Sequence, residues 1–252
     1  MAKYDSYTLG SKWTKTKWLT EQDDLREAVP ETRLFNRTNL EEMLESHSVV
    51  YFKPVKGWGG TNIVRIQKTE EGYATKSNAG QESFDTVDSL FRKLNRQAHN
   101  KPYLLQKGID LAKTNGKPFD IRVMVQKTNK GTWKSTAIFT KIGKPGKVAT
   151  NYNQGGKLGF LASTLSGSGY SSSRIGKIRS RLERMGVAAG RCFDRHRNGF
   201  RELGLDVALD PDGTPWILEV NTRPQFYPLK HFKDRTLYRR IVSYAKQYGR
   251  TR

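Results

Sequence analysis

Cysteine is nearly absent from this chain of 252 residues: Cys192 is its only one. An internal disulfide is therefore excluded, and a reducing compartment is the better fit. No run of about 18 apolar residues occurs, so the sequence offers no transmembrane helix. Met1-Ala2-Lys3-Tyr4-Asp5 lacks the apolar core of a secretory signal. The expectation is a soluble, cytoplasmic protein. Neither of the two common nucleotide fingerprints, GxxxxGK followed by Ser or Thr, or GxGxxG, is present. No Ser/His/Asp or Cys/His set suited to nucleophilic catalysis can be assembled, and no internal repeat is visible. Acid is scarce as well, 24 acidic against 45 basic residues, for a net charge of +21. That balance calls for anionic company: nucleic acid, an acidic polymer, a membrane surface or a phosphate-rich ligand.

Eleven Tyr, eleven Phe and five Trp argue for a folded chain, not a disordered one. The most informative stretch runs from Leu203 to Pro224. Two apolar-rich runs flank Asp212-Gly213, which suits a two-residue hairpin turn. In that register facing residues have numbers summing to 425, so Asp206 lies opposite Glu219 and Asn221 follows on the same face. Leu205, Val207, Leu209, Trp216, Leu218 and Val220 then form the core face. Two facing carboxylates about 5 Å apart repel each other. A divalent cation resolves the conflict, and oxygen-only ligands suit Mg²⁺. The alternative is an ordinary solvated polar face.

Other segments supply supporting parts. In residues 1–20, Lys3, Lys12, Lys15 and Lys17 interleave with Tyr4, Tyr7, Trp13 and Trp18. This is either a surface that stacks single-stranded nucleic acid or a lead-in packing its tryptophans on the domain. Val29-Pro30-Glu31-Thr32 breaks the chain, and Thr38 to His47 reads as a helix with Thr38 and Glu41 as a capping box. Val49 to Ile66 reads as strand, glycine loop, strand. Gly57, Gly59 and Gly60 let backbone N–H groups approach phosphate oxygens, and Lys53 precedes them. Tyr73 to Phe84 is strand and turn, Thr86 to His99 a helix, and Tyr103 to Asp110 an apolar strand that turns polar.

Phe119 to Lys127 alternates cleanly, with Asp120, Arg122, Met124 and Gln126 on one face; Asp120 and Arg122 could be a structural ion pair. Trp133 to Ile142 is a further strand bearing Lys141. The serine- and glycine-rich run Ser163–Ser173 reads as a mobile loop or lid. Arg174 to Asn198 is a long basic helix, and Asp234 to Tyr248 a C-terminal one. His99 and His196 read as ordinary surface residues.

Taken together, Phe52-Lys53-Pro54 with Gly57-Trp58-Gly59-Gly60, Gln106-Lys107-Gly108-Ile109, Phe119 to Lys127, Thr150-Asn151 with Gly155-Gly156, Leu203 to Asp206 and Glu219 to Pro224 make the chain resemble an ATP-grasp protein. Within that superfamily it resembles the YheC/YheD-like, spore-coat-associated branch. The resemblance spans roughly residues 12–230 and implies an α+β fold of two lobes clasping a nucleotide. The implied organisation is a lead-in at 1–30, an N-lobe with its glycine flap at 31–110 and a C-lobe with a metal-binding hairpin at 111–252. A full-sized N-terminal preATP-grasp domain, common in the superfamily, is missing from this stretch, which puts the substrate class in doubt.

The resemblance also implies roles. Lys53 and Lys12 hold phosphates under the flap glycines, and Gln106, Lys107, Gly108 and Ile109 line the adenine pocket with Asp110 near the ribose. Asp206, Glu219 and Asn221 bind one or two Mg²⁺ ions (or Mn²⁺), while Arg122, Lys141, Asn151 and Arg223 face the γ-phosphate and the acceptor. The implied activity is an ATP-dependent carboxylate–amine or thiol ligase acting through an acyl phosphate. Its substrates are an unidentified carboxylate and nucleophile, and the charge suggests an acidic, polyanionic or peptide acceptor. A second copy or a partner protein would supply any missing substrate site, and spore association follows from the branch. Two rivals stand beside it: a nucleic-acid-binding basic protein, and a non-catalytic coat-associated member of the fold.

Overall fold

The computed structural model describes residues 4–57, 59–143 and 156–250. Two helices open it, α1 (Lys12–Thr20) and α2 (Asp23–Arg26). Ser11 caps α1 by accepting from the Thr14 N–H. Trp18 stacks on His196 and meets Phe193 edge-on, while Leu19, Leu25, Ala28 and Val29 are buried. The tryptophan of the lead-in therefore packs inward, as the second reading of that segment has it.

An antiparallel sheet follows. It consists of β1 (Thr32–Leu34), β2 (Val49–Pro54), β3 (Val64–Thr69), β4 (Gly72–Ser77), β5 (Gly80–Phe84) and β6 (Tyr103–Lys107), in the order β1-β6-β2-β3-β4-β5. Helices α3 (Arg37–Ser46) and α4 (Val87–Ala98) cover it. Their Leu40, Met43, Leu44, Leu90 and Leu94 meet Phe52, Ile66 and Leu105 in one core. The cap of α3 differs from expectation: Asn36, ahead of the Thr38 box, accepts from the Asn39 N–H.

The second sheet has the order β10-β9-β8-β11-β12, built from β8 (Lys117–Lys127), β9 (Trp133–Ile142), β10 (Lys157–Phe160), β11 (Glu202–Leu209) and β12 (Pro215–Asn221). A two-residue strand, β7 (Lys113–Thr114), pairs with the start of β8. The run expected to be a mobile loop is partly helical instead. Leu161–Ser166 forms α5, burying Leu161, Thr164 and Leu165 on one side, with Thr140 and Thr164 hydroxyls 2.7 Å apart. Two buried leucines, each worth about 2 kcal/mol, offset the flexibility that the serines suggest.

The long helix α6 (Ser172–His196) packs on one face of this sheet. Gly190 lets it close on Trp133, where a Cβ would come within 2.5 Å of the indole. Ile121, Val123, Val125, Leu203, Leu205 and Val207 point toward α6. The other face carries Asp120, Arg122, Met124 and Gln126, and α7 (Thr236–Ala245) packs there on Met124, Ala137 and Phe139.

The β11–β12 hairpin departs from expectation in two ways that cancel. Its loop is not the pair Asp212-Gly213 but the three residues Pro211 to Gly213, closed by Asp210 N–H donating to the Thr214 carbonyl at 3.1 Å. Gly213 sits at φ +79°, the left-handed position that such loops use. The longer loop shifts the sum of facing numbers to 424, as in Val207–Ile217 and Leu209–Pro215. A bulge at Leu218 then adds one residue and restores 425, so Asp206 faces Glu219 and Gly204 faces Asn221. The cost falls on the core face: Ile217 and Val220 are buried there, and Trp216 and Leu218 turn away.

Candidate functional site

Asp206 is the centre of the polar cluster. Its Cα partner on β8 is Arg122, whose Nε and Nη2 donate to the two carboxylate oxygens at 2.8 and 3.1 Å. Lys141, from β9, donates to the Oδ1 of Asp206 at 2.8 Å and pairs with Asp120 at the same distance. Asn221 Nδ2 donates to Oδ2 at 3.0 Å. Asp120 and Arg122, two apart on one strand, are therefore each committed to another partner: Asp120 to Lys141, Arg122 to Asp206. Burial disfavours the ionised carboxylate of Asp206, but the Arg122 and Lys141 charges outweigh it and hold the group below its usual range. Conversely, burial works against the charge on Arg122 and Lys141, and their carboxylate partners raise both above their ordinary values.

Glu219, facing Asp206 across the hairpin, is looser. Its nearest cations are Lys12 at 3.6 Å and Lys15 at 4.0 Å. Lys12 also donates to the Gly57 carbonyl at 2.6 Å, tying α1 to the glycine loop. Gly57, Gly59 and Gly60 all have positive φ, the conformations that let their backbone turn tightly.

Lys53 lies diagonally across the β2–β6 pair from Gln106, and its Nζ donates to Gln106 Oε1 at 2.5 Å. Gln106 is itself buried, its amide reaching Thr32 and the Leu218 carbonyl. Burial pulls the Lys53 pKa down to about 8 against the attraction of Glu219. Lys15 is likewise lowered by burial, with Glu219 opposing. A narrow cleft joins these groups, lined by Lys12, Lys15, Lys53, Gln106, Ile217 and Glu219.

Five cations (Lys12, Lys15, Lys53, Arg122, Lys141) thus surround three carboxylates (Asp120, Asp206, Glu219), and two of the lysines are strained by desolvation. The cleft at the edge of this cluster sets Lys12, Lys15 and Lys53 against Glu219, so it is short of negative charge and is arranged to receive an anion. All candidate metal ligands are oxygens, and among the described residues no three His, Cys, Asp or Glu side chains are grouped so that they alone could hold a metal ion. Two carboxylates and an amide are few for a dedicated cage. They suit an ion that completes its shell with phosphate oxygens and water, as Mg²⁺ does.

Most sequence-derived candidates converge here, but not all. Arg223 is exposed and stacks its guanidinium 4.8 Å from the Tyr4 ring centroid. Lys107 lies 5.3 Å from the Trp216 ring centroid, and Gly108 N–H donates to Val49 O at 2.8 Å. Ile109 is half-buried and Asp110 exposed beyond the strand end. Asn151 lies outside the described residues, as does Trp58 of the glycine loop. Lys15 was missed. Its signal was available, since it falls one turn after Lys12 and on the same side of α1, whereas Lys17 is exposed.

Comparison with known proteins identifies the fold. The chain is 28% identical over 249 residues to the endospore coat-associated protein YheD of Bacillus subtilis (strain 168), covering 94% of this chain and 54% of that protein. It therefore spans about half the length of that relative. Among solved structures it is similar to an ADP complex of N5-carboxyaminoimidazole ribonucleotide synthetase (TM-score 0.56, 14% identity, 95% of this chain and 52% of that one). It is also similar to the D-cycloserine synthetase DcsG (TM-score 0.55, 13% identity, 91% and 71%). At such identities the likeness establishes the fold, α+β ATP-grasp. The model of the YheC/D-like ATP-grasp family matches residues 2–251, and the chain belongs to that family.

Proposed function

We propose that this protein is an ATP- and Mg²⁺-dependent ligase that activates a carboxylate as an acyl phosphate and joins it to an amine or similar nucleophile. The observation that carries the reading is the pairing of Asp206, held by Arg122 and Lys141, with Glu219, which lines a cleft together with Lys12, Lys15 and Lys53.

Lys53, fixed by Gln106, and Lys12, fixed by the Gly57 carbonyl, hold the polyphosphate beneath the glycine loop. Lys15 adds a third ammonium from α1. The adenine lies along β6 at Gln106, Lys107, Gly108 and Ile109, with Asp110 toward the ribose. Asp206 and Glu219 would hold Mg²⁺, with Asn221 turning its amide oxygen inward. Bound there, the ion would neutralise phosphate charge and orient the transferring group. Arg122 and Lys141 keep Asp206 ionised and oriented, and their positive field favours charge developing on the γ-phosphoryl group. By family resemblance, Arg223 and Asn151 would act toward the γ-phosphate and the acceptor.

In the transfer, the carboxylate oxygen bonds to the γ-phosphorus as the bond to the β–γ bridging oxygen breaks, releasing ADP. The nucleophile then attacks the acyl carbon, phosphate departs with the bonding pair, and the amine loses its proton to solvent. No side-chain nucleophile is required. The test is ADP release over a panel of carboxylates and amines, with mass spectrometry for a product equal to acid plus amine less water. ADP release no greater than that of Glu219→Gln over the whole panel would overturn the ligase reading. ATP occupancy without ADP release would favour a non-catalytic role, which the coat association of the YheD relative makes the second reading.

A further inference from the structure

We propose that the outer face of α6 is a docking surface for the phosphate backbone of a duplex nucleic acid, bound without regard to base sequence. The surface lies away from the cleft. Helix α6 covers one face of the second sheet, and Asp206, Arg122 and Lys141 belong to the other.

Four cations form a row along the helix: Lys177, Arg181, Arg184 and Arg191, all exposed. At 100° per residue they fall within an arc of about 80° and span about 21 Å of helix. The buried residues of α6, including Ile178, Leu182, Met185 and Phe193, centre about 120° round the helix from this row. None of the four makes an ion pair among the described residues. The acids of α6 do not relieve them. Asp194 is occupied by Lys127 at 2.8 Å and the Trp133 indole at 2.7 Å, and Glu183 lies off the row. Further along, Arg195 reaches Gln22 and His196 pairs with Glu21, so the free row ends at Arg191.

Lys177 and Arg181 at i,i+4, and Arg181 and Arg184 at i,i+3, are like-charge pairs that weaken an isolated helix. A fold that keeps them without internal acids is matched to charge from outside. Three of the four are arginines, whose planar fork suits phosphate oxygens. Basic residues aligned on a helix in a chain of pI 10.1 are the electrostatic footprint of nucleic-acid binding. The row carries no large apolar side chain, unlike a helix that embeds in a bilayer. Its lysine and arginines, spaced along one line, are placed to meet phosphate oxygens, and phosphate contacts carry no base information.

The experiment is fluorescence anisotropy with a labelled mixed-sequence duplex of 20 base pairs, across NaCl concentrations. The expected result is affinity that falls linearly with salt on logarithmic axes, and is equal for a scrambled duplex. R181E/R184E should lower the slope by about 2, because two fewer phosphates are neutralised and each accounts for about 0.9, and should weaken binding more than tenfold. R239E/R240E, on the exposed side of α7, makes the same change in net charge and should stay within about threefold of the unmodified protein. Thermal melts verify that both variants fold, and R181Q/R184Q stands in if the reversal does not. The proposal is overturned if both variants lose binding equally, if no salt-dependent binding occurs, or if polyglutamate displaces the duplex at lower charge concentration.

Discussion

Arg122 and Asp206 face each other as Cα partners on β8 and β11, and the guanidinium holds both oxygens of the carboxylate. The pair is mostly buried, so removing Arg122 leaves Asp206 with Lys141 as its one remaining ion-pair partner among the described residues, and removing Asp206 leaves the buried guanidinium without its carboxylate. Arg122→Ala should destabilise the fold by about 3 kcal/mol, and Asp206→Asn in the same chain should recover part of the loss. Denaturant unfolding of the two singles and the double checks this. The pH sign follows from the lowered carboxyl. The contribution of Asp206 is fully present above about pH 4, the unfolded value, and fades only as acid carries the pH down toward the folded one. Wild type and Asp206→Asn should therefore converge in stability only in strong acid.

Lys53 trades stability for binding. Its pKa of about 8 lies below that of a free lysine, so the cost of its buried charge is present below pH 8 and is relieved as pH rises toward about 10.4. Lys53→Met should raise the melting temperature at pH 7 while abolishing stabilisation by MgATP. In the unmodified protein, phosphate beside Lys53 restores its charge. Calorimetry at pH 8 in buffers of different ionisation enthalpy should register uptake of up to about half a proton per nucleotide.

Gly204 lies beside the site, its carbonyl accepting from Asn221 Nδ2 at 3.4 Å. A Cβ there would come 2.4 Å from Pro224 Cβ and 3.2 Å from Arg122 Cδ. Gly204→Ala should cost about 1–3 kcal/mol by overpacking and weaken MgATP binding by displacing Arg122. A thermal melt and a nucleotide titration measure the two effects separately.

The C-terminal stretch pins the same corner. Glu202, wholly buried, accepts from Tyr4 at 2.9 Å, Tyr248 at 2.8 Å and Arg250, whose other nitrogen donates to the Pro224 carbonyl at 2.6 Å. Arg250→Ala should lower stability by about 3–5 kcal/mol, because it leaves a buried carboxylate without its cation. The combined Glu202→Gln, Arg250→Met chain should lose less, as urea unfolding would register.

What could be read from the sequence, and what could not, divides on physical grounds. The strands β8 and β11 are legible by alternation, and the glycines and Lys53 by local composition. The facing of Asp206 and Glu219 was expected through a two-residue turn, and the structure reaches it through a longer loop and the bulge at Leu218. Bulges have no local signature in a sequence of this kind, so Trp216 and Leu218 were placed on the core face. The spacing of Lys15 from Lys12 puts the two on one side of α1, but α1 has no apolar stripe to say which way that side faces; its place in the cleft comes from β12 packing beside it. The Glu202–Arg250 pair joins residues 48 apart and could not be read locally.

The central claim is that nucleotide phosphates bind between Lys53 and the Asp206–Glu219 pair. Thermal unfolding with ATP, with and without Mg²⁺, tests it most directly, on the unmodified protein and on Glu219→Gln. At about 100-fold excess over Kd, binding contributes about 2.7 kcal/mol, or roughly 5–10 °C for a chain of this size. The account predicts that shift with MgATP, with its Mg²⁺-dependent part missing in Glu219→Gln. No shift with ATP in the unmodified protein, whether or not Mg²⁺ is present, would contradict it.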